Sequence, residues 1–141
     1  MKKTIIAGTL FSFLWICLLA ENPVQPVNKN SISRGKKVYK KYCLPCHQQD
    51  GSGAPRMNSP LGKSPFVNGQ QIALIKILLQ GLKSGDKIDG ETYANPMPEF
   101  GTVLKDQQIA DVLTYIRNSF GNKASAVTAL DVKRVRAAKK K

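Results

Sequence analysis

The stretch Cys43-Leu44-Pro45-Cys46-His47 decides how this chain folds, and His47 is the sole histidine among its 141 residues. Two cysteines three positions apart, followed directly by a histidine, are typical of a c-type haem attachment site. The two thiols of one helical turn can add to the two vinyl groups of a haem, and the next imidazole then lies under the iron. The motif predicts one covalent haem c, attached at Cys43 and Cys46 and ligated by His47.

Two other interpretations of the motif fit the rest of the chain less well. A redox-active dithiol of the thioredoxin type normally belongs to a βαβ unit, and the sequence around Cys43 predicts none. A structural zinc ion needs four nitrogen or sulfur ligands, whereas this chain has three cysteines, of which Cys17 lies in an N-terminal apolar run. The lack of a second histidine also excludes a Cys₂His₂ zinc site and a bis-histidine haem.

The N-terminus has the pattern of an export signal. Lys2 and Lys3 precede an apolar run from Thr4 to Ala20, which is short for a membrane span. We expect residues 1–20 to be a signal peptide, although Leu18 stands where the cleavage site prefers a small residue and leaves retention as an N-terminal anchor open. Export agrees with haem attachment outside the cytoplasm and indicates the periplasm or the outer face of the inner membrane.

The composition is strongly basic, with 22 Lys and Arg against 9 Asp and Glu and a net charge of +13. Such a surface attracts nucleic acid, anionic lipid or acidic protein. Nucleic acid is not expected for an exported chain. The charge is either ordinary solvated surface or a docking face for acidic redox partners, with Lys40, Lys41 and Lys63 as candidate docking residues.

Apolar periodicity predicts an all-α fold with three core helices. The first helix begins at a cap on Ser31 or Ser33 and ends near Tyr42, and Gly35 inside it indicates a close crossing with another helix. The second is expected over 70–81 and the third over 106–119.

The connecting segments carry turn signals. Residues 48–69 contain many glycines and prolines and are predicted to be a loop. Asp89-Gly90 predicts a short β-hairpin. Thr128 and Asp131 predict the capped start of an extra C-terminal helix, which ends in the basic tail 139–141.

An iron with one histidine needs a ligand on its opposite face, and the methionines are the best candidates. Met57 follows His47 by ten residues, whereas Met97 follows it by fifty and has enough chain to pass round the haem edge. Pro96 and Pro98 restrict the backbone on both sides of Met97. We therefore favour Met97 as the second axial ligand, with Met57 and a plain core role for Met97 as the alternatives. A His/Met iron moves electrons with little rearrangement.

These residues resemble the class I c-type cytochromes over roughly residues 31–122. Gly35, Tyr39 and the Cys43–His47 motif match the family's N-terminal helix, and Val112 and Tyr115 match the C-terminal helix positions that cross at the glycine. Three further features are close to a pattern of bacterial members, namely Tyr93, the Met97–Gly101 segment and the 109–117 segment. In the family, Met97 corresponds to the axial methionine.

The resemblance implies a domain organisation and a function. Residues 1–20 are a signal peptide or anchor, 21–30 a linker, 31–122 the cytochrome domain and 123–141 a basic extension. The implied function is single-electron transfer in the periplasm between a dehydrogenase or other donor and a reductase or terminal oxidase. The chain is expected to be an electron carrier and not an enzyme.

The chain differs from the family pattern at two positions, and two other functions remain as alternatives. Ser59 stands where the family usually has a proline whose carbonyl accepts the hydrogen bond of the ligand histidine, and Lys105 replaces the usual serine cap of the last core helix. A haem peroxidase or gas-binding protein would need a methionine that is easily displaced. A structural or assembly subunit would carry a haem that exchanges no electrons.

Overall fold

Helices dominate the part of the chain that the computed structural model describes, residues 26–138. They are α1 (Lys29–Tyr42), α2 (Leu44–His47), α3 (Pro65–Asn68), α4 (Gln71–Gln80), α5 (Asp106–Ile116) and α6 (Ala129–Ala138). The strands β1 (Lys87–Ile88) and β2 (Glu91–Thr92) form a two-stranded antiparallel hairpin. This architecture confirms the predicted helical fold with α1, α4 and α5 as its core.

The expected signal segment 1–20 and the basic tail 139–141 lie outside the described residues. Between residues 26 and 138, no helix is both long and apolar enough to cross a lipid bilayer.

The central packing contact is the crossing of α1 and α5 at Gly35, as predicted. Gly35 lies against the backbone of Asp111, and a methyl group in place of its hydrogen would overlap the Asp111 carbonyl and come within 2.7 Å of the Tyr115 Cβ. Only glycine allows the two helix backbones to approach this closely. Val112 lies at the same interface and is fully buried.

The start of α1 differs from the prediction. The helix begins at Lys29, and the Asn28 side chain caps it by accepting a hydrogen bond from the Asn30 backbone N–H at 2.8 Å. Ser31 is not the cap because its hydroxyl donates to the Asp111 carboxylate at 2.6 Å. Helical backbone therefore extends into the segment that the sequence predicted to be a linker.

The other elements follow the predictions with shorter bounds. α4 ends at Gln80, where Gly81 takes a positive φ of 72°. The hairpin turn is Asp89-Gly90, with φ values of 51° and 86°. α5 ends at Ile116 instead of Ser119, and the loop after His47 contains the short helix α3, which the sequence did not predict.

The C-terminal helix α6 packs on α5 and α4. Thr128 and Asp131 form the predicted capping pair, in which the Asp131 carboxylate accepts from the Thr128 backbone N–H at 3.1 Å and the Thr128 hydroxyl accepts from the Asp131 N–H at 3.1 Å. Val132, on the inner face of α6, is completely buried. Residues 123–138 are thus an integral part of the folded unit.

Candidate haem-binding site

The Cys43–His47 motif lies at the end of α1, where the chain makes one more helical turn. Cys43 terminates α1, and its carbonyl accepts a hydrogen bond from the His47 backbone N–H at 2.9 Å. This turn, α2, places both thiols on one side and the imidazole directly after them. Tyr39, one turn earlier, fixes the exit of the chain by donating its hydroxyl to the Gln48 carbonyl at 2.6 Å.

The two cysteines have different surroundings. Cys43 is buried, and burial together with the nearby Cys46 raises the pKa of its thiol to about 12. Cys46 is exposed at the surface. The Cys43 thiol therefore lies inside the fold, and the Cys46 thiol lies at its edge.

His47 is oriented by a backbone carbonyl. Its Nδ1 atom lies 2.9 Å from the Ser59 oxygen, and since a carbonyl can only accept, Nδ1 carries the proton. Burial lowers the pKa of His47, against the opposing effect of this hydrogen bond. The imidazole is thus held neutral with Nε2 free for a metal, which is the form that ligates iron. The Ser59 carbonyl stands where the resemblance predicted an acceptor.

Met97 lies across the cavity on a segment that is held from two directions. Its backbone N–H and carbonyl both pair with Leu82, at 3.0 and 2.9 Å. Gly81 packs so tightly on the Met97 carbonyl that a side chain there would overlap it. The backbone of residues 94 and 95 bonds to the 56–57 carbonyls, at 2.9 and 3.1 Å.

The structure brings the predicted site residues to one cavity. Two adjoining hollows share these lining residues: Cys43, His47, Ser59, Leu82, Ile88 and Met97. Cys46 lines the outer hollow. Met57 lines neither hollow, and the residue is 43% exposed.

The chemistry of the cavity wall suits a porphyrin. The inner hollow is lined mostly by aliphatic side chains, among them Leu61, Leu74, Leu78, Leu113 and Ile116. Two thiols, one neutral imidazole and one thioether are the polar or soft groups that a covalently bound, six-coordinate haem requires. The residues present therefore fit the group.

Sequence reasoning did not identify several residues of this cavity. Tyr42 and Phe100 meet edge to face with ring centroids 6.0 Å apart, and both line the outer hollow. Lys83 and Asp86 also line it. In the sequence, Tyr42 and Phe100 are marked out only by lying close to the Cys43–His47 motif and to Met97. Of the three docking candidates, Lys40 and Lys41 are exposed just before Cys43, whereas exposed Lys63 lies beside Gly121.

A family model and several known proteins match this chain in sequence. The family model described as Cytochrome c matches residues 32–120. Cytochrome c-552 of Thermus thermophilus is 35% identical over 114 residues, which cover 74% of this chain and 86% of that protein.

Two larger proteins are also similar. The gluconate 2-dehydrogenase cytochrome c subunit of Pantoea cypripedii is 40% identical over 105 residues. The cytochrome c subunit of alcohol dehydrogenase (quinone) from Gluconacetobacter polyoxogenes is 38% identical over 104 residues. The aligned part covers 72% of this chain in both cases but 24% and 22% of those subunits.

Proposed function

Because the chain belongs to the cytochrome c family, whose members carry covalent haem and transfer electrons, we propose that it is a single-electron carrier with a His47/Met97-ligated haem. Cys43 and Cys46 form the two thioether bonds. The observation that carries this proposal is the meeting of all four side chains at one largely apolar cavity.

The haem supplies a metal that changes between ferric and ferrous states, and the protein supplies the conditions for that change. The Ser59 carbonyl fixes the imidazole of His47 and increases its basicity. Met97 would supply a thioether ligand, which would favour the ferrous state and raise the reduction potential. Aliphatic side chains around the cavity exclude water.

The two hydrogen bonds between the Met97 and Leu82 backbones favour the function of an electron carrier over that of a peroxidase or gas-binding protein. A peroxidase or gas-binding protein needs an iron face that opens readily. Here the backbone of Met97 is tied to Leu82, two residues beyond the end of α4. A methionine fixed in this way would remain available to the metal in both oxidation states, which would favour electron exchange over ligand binding.

The Met97→Ala substitution tests the ligand assignment. We expect the reduction potential to fall by a substantial part of the about 0.8 V range that axial ligands span. The weak red absorption band of the ferric iron–sulfur bond should disappear, and the iron should bind added imidazole. Met57→Ala is the matched control and should leave potential and band unchanged. If Met57→Ala produces these changes and Met97→Ala does not, the assignment is wrong.

The location and the domain boundaries belong to the same proposal. Residues 1–20 direct export to the periplasm and are removed or kept as an anchor, residues 31–122 form the cytochrome domain, and residues 123–141 extend it. Intact-mass measurement of protein purified from cells competent in haem attachment tests the attachment and the processing of residues 1–20. We expect the added mass of one haem, on a chain cleaved after Ala20 if the segment is removed and on the full chain if it is kept as an anchor. A colourless chain without the added mass contradicts the proposal.

The partners are proposed to be redox proteins with acidic docking faces. Relatives include cytochrome subunits of dehydrogenases and the FixP subunit of a cbb3-type oxidase from Azorhizobium caulinodans. The support within this chain is the exposed lysine pair at 40 and 41, directly before the attachment motif. Such charges orient an acidic partner toward the cavity edge.

A further inference from the structure

The segment between Met97 and α5 is short, and two helices hold it. On one side is the end of α4: the Phe100 backbone N–H donates to the Leu78 carbonyl at 2.8 Å. Gly101 lies so close to α4 that an added Cβ would come within 2.6 Å of the Leu79 carbonyl. Residues 97–101 are therefore seated against α4 with no room to shift toward it.

On the other side is α6, through a single arginine. The Arg136 guanidinium donates to the carbonyls of Gly101 and Leu104, the latter at 3.1 Å. Its Nε donates to the Asp106 carboxylate at 2.7 Å. Three acceptors along residues 101–106 thus bind one side chain. The planar guanidinium of arginine can donate to all three in a fixed geometry, which the ammonium group of a lysine cannot do.

The helix that carries Arg136 is itself fixed. The Thr128–Asp131 capping pair sets its start, and completely buried Val132 sets its rotation. Both Arg136 and Asp106 remain partly exposed, with 30% and 29% of their side-chain surface accessible. α6 lies beyond residues 32–120, the part of the chain that the family model matches.

We propose that Arg136 is a positioning residue for the axial methionine, so that α6 acts as a latch on the segment that carries Met97. This inference rests on the proposed ligation by Met97. With the latch closed, the segment is trapped between α4 and α6, and the thioether rarely leaves the iron. With the latch open, residues 101 and 104 lose their contacts with α6, and local opening of the methionine segment becomes more frequent without unfolding α1 or α5.

The test is competition by added imidazole for the methionine position in the ferric holoprotein. The apparent imidazole affinity reports how often the iron–sulfur bond opens. We expect Arg136→Met, which keeps an apolar stem of similar length, to raise this affinity about tenfold, equivalent to about 1.4 kcal/mol. The red iron–sulfur band should be lost at correspondingly lower imidazole concentration.

Arg134→Met is the matched control. It removes the same charge from the same helix, but its side chain is 72% exposed and lies 4.0 Å from its nearest carboxylate, Asp131. Its imidazole affinity should equal that of the unmodified protein. If Arg136→Met lowers the unfolding midpoint yet binds imidazole like Arg134→Met, α6 supports global stability alone and the latch is refuted.

A milder variant decides the question if Arg136→Met fails to mature. Arg136→Lys keeps the charge and loses the planar fork, and we expect an increase in imidazole affinity of roughly threefold. Unchanged affinity in this variant overturns the proposal. The outcome is separate from that of the ligand assignment, because Met97→Ala reports whether Met97 is the ligand at all.

Discussion

At the scale of single residues, the ligand histidine shows that a backbone contact can persist when the residue that supplies the carbonyl changes. Ser59 replaces the proline that the family usually has, yet its carbonyl lies 2.9 Å from the His47 Nδ1. The loop is folded to deliver this carbonyl, since Gly53 donates to the His47 carbonyl at 3.1 Å and Leu61 to the Gly51 carbonyl at 2.7 Å. Every residue has a carbonyl, so the fold and not the identity of residue 59 determines the contact.

A pair of substitutions next to this carbonyl tests the argument. Pro60→Ala should loosen the Ser59 carbonyl, reduce the basicity of His47 and so raise the reduction potential, because the ferric iron loses donation. One hydrogen bond is worth about 1 kcal/mol, so the rise should stay below about 59 mV, the value for a tenfold one-electron shift. Ser59→Ala keeps the carbonyl and should leave the potential unchanged in the same voltammetric measurement. A shift in Ser59→Ala would show that the hydroxyl takes part.

The site was the most predictable part of the molecule because its signal is local in sequence. The spacing of Cys43, Cys46 and His47 is sufficient by itself to predict haem attachment. Met97 could be favoured from chain length and its flanking prolines. The contacts of Arg136 could not be predicted, since they join residues 30 to 35 positions apart and two of the acceptors are backbone carbonyls.

At the scale of elements, the α1–α5 crossing depends on a missing side chain. Gly35→Ala should destabilise the fold even though alanine is the better helix former by about 1 kcal/mol, because overlap with the Asp111 carbonyl forces the helices apart. Overpacking typically costs about 1–3 kcal/mol, and we expect a loss at the upper end from thermal or denaturant unfolding. Ser33→Ala, at an exposed position of the same helix, should be neutral or stabilising. Equal stability of the two variants would contradict the crossing.

A buried carboxylate joins the same two helices and makes their contact sensitive to acid. Desolvation raises the pKa of Asp111, but hydrogen bonds from Arg34, Ser31 and Gln107 outweigh it and hold that pKa below its usual value. A depressed pKa in the folded state contributes stability above the unfolded value of about 3.9, which is lost as the pH falls through the folded pKa.

Asp111→Asn should therefore lower the free energy of unfolding by about 1–3 kcal/mol at neutral pH and flatten its decline below about pH 4. The measurement is denaturant unfolding of the holoprotein between neutral and acid pH. Glu91→Gln is the control, since Glu91 is exposed on β2. If the acid decline of Asp111→Asn parallels that of Glu91→Gln, Asp111 is not the titrating group.

The start of α1 illustrates what limits prediction at this scale. Ser31, Ser33 and Asn28 all have side chains that can cap a helix, and asparagine and serine rank about equally at this position. The choice is made by Asp111, some eighty positions away, which takes the Ser31 hydroxyl at 2.6 Å and leaves the cap to Asn28. Helix existence followed from periodicity, but this boundary depended on a tertiary contact.

At the scale of the whole molecule, charge is distributed unevenly around the cavity. α1 contains lysines at 29, 36, 37, 40 and 41, together with Arg34, and has no acidic residue. Carboxylates are concentrated in the segment that carries the hairpin and Met97, at Asp86, Asp89, Glu91 and Glu99. Within residues 26–138, Arg34 is the one α1 cation in an ion pair. The positive side ends at the attachment motif, beside the cavity edge toward which the lysines are proposed to orient a partner.

This asymmetry predicts how the rate of electron exchange depends on salt. With hexacyanoferrate(III), an anionic oxidant, the second-order rate should fall as ionic strength rises, because salt screens its attraction to α1. The double substitution Lys40→Glu and Lys41→Glu should slow the reaction on the order of tenfold at low salt. Lys29→Glu with Lys133→Glu makes the same change in net charge away from the motif and should slow it far less. Equal slowing by both pairs would mean that net charge alone steers the oxidant, and that the lysines beside Cys43 have no special place in docking.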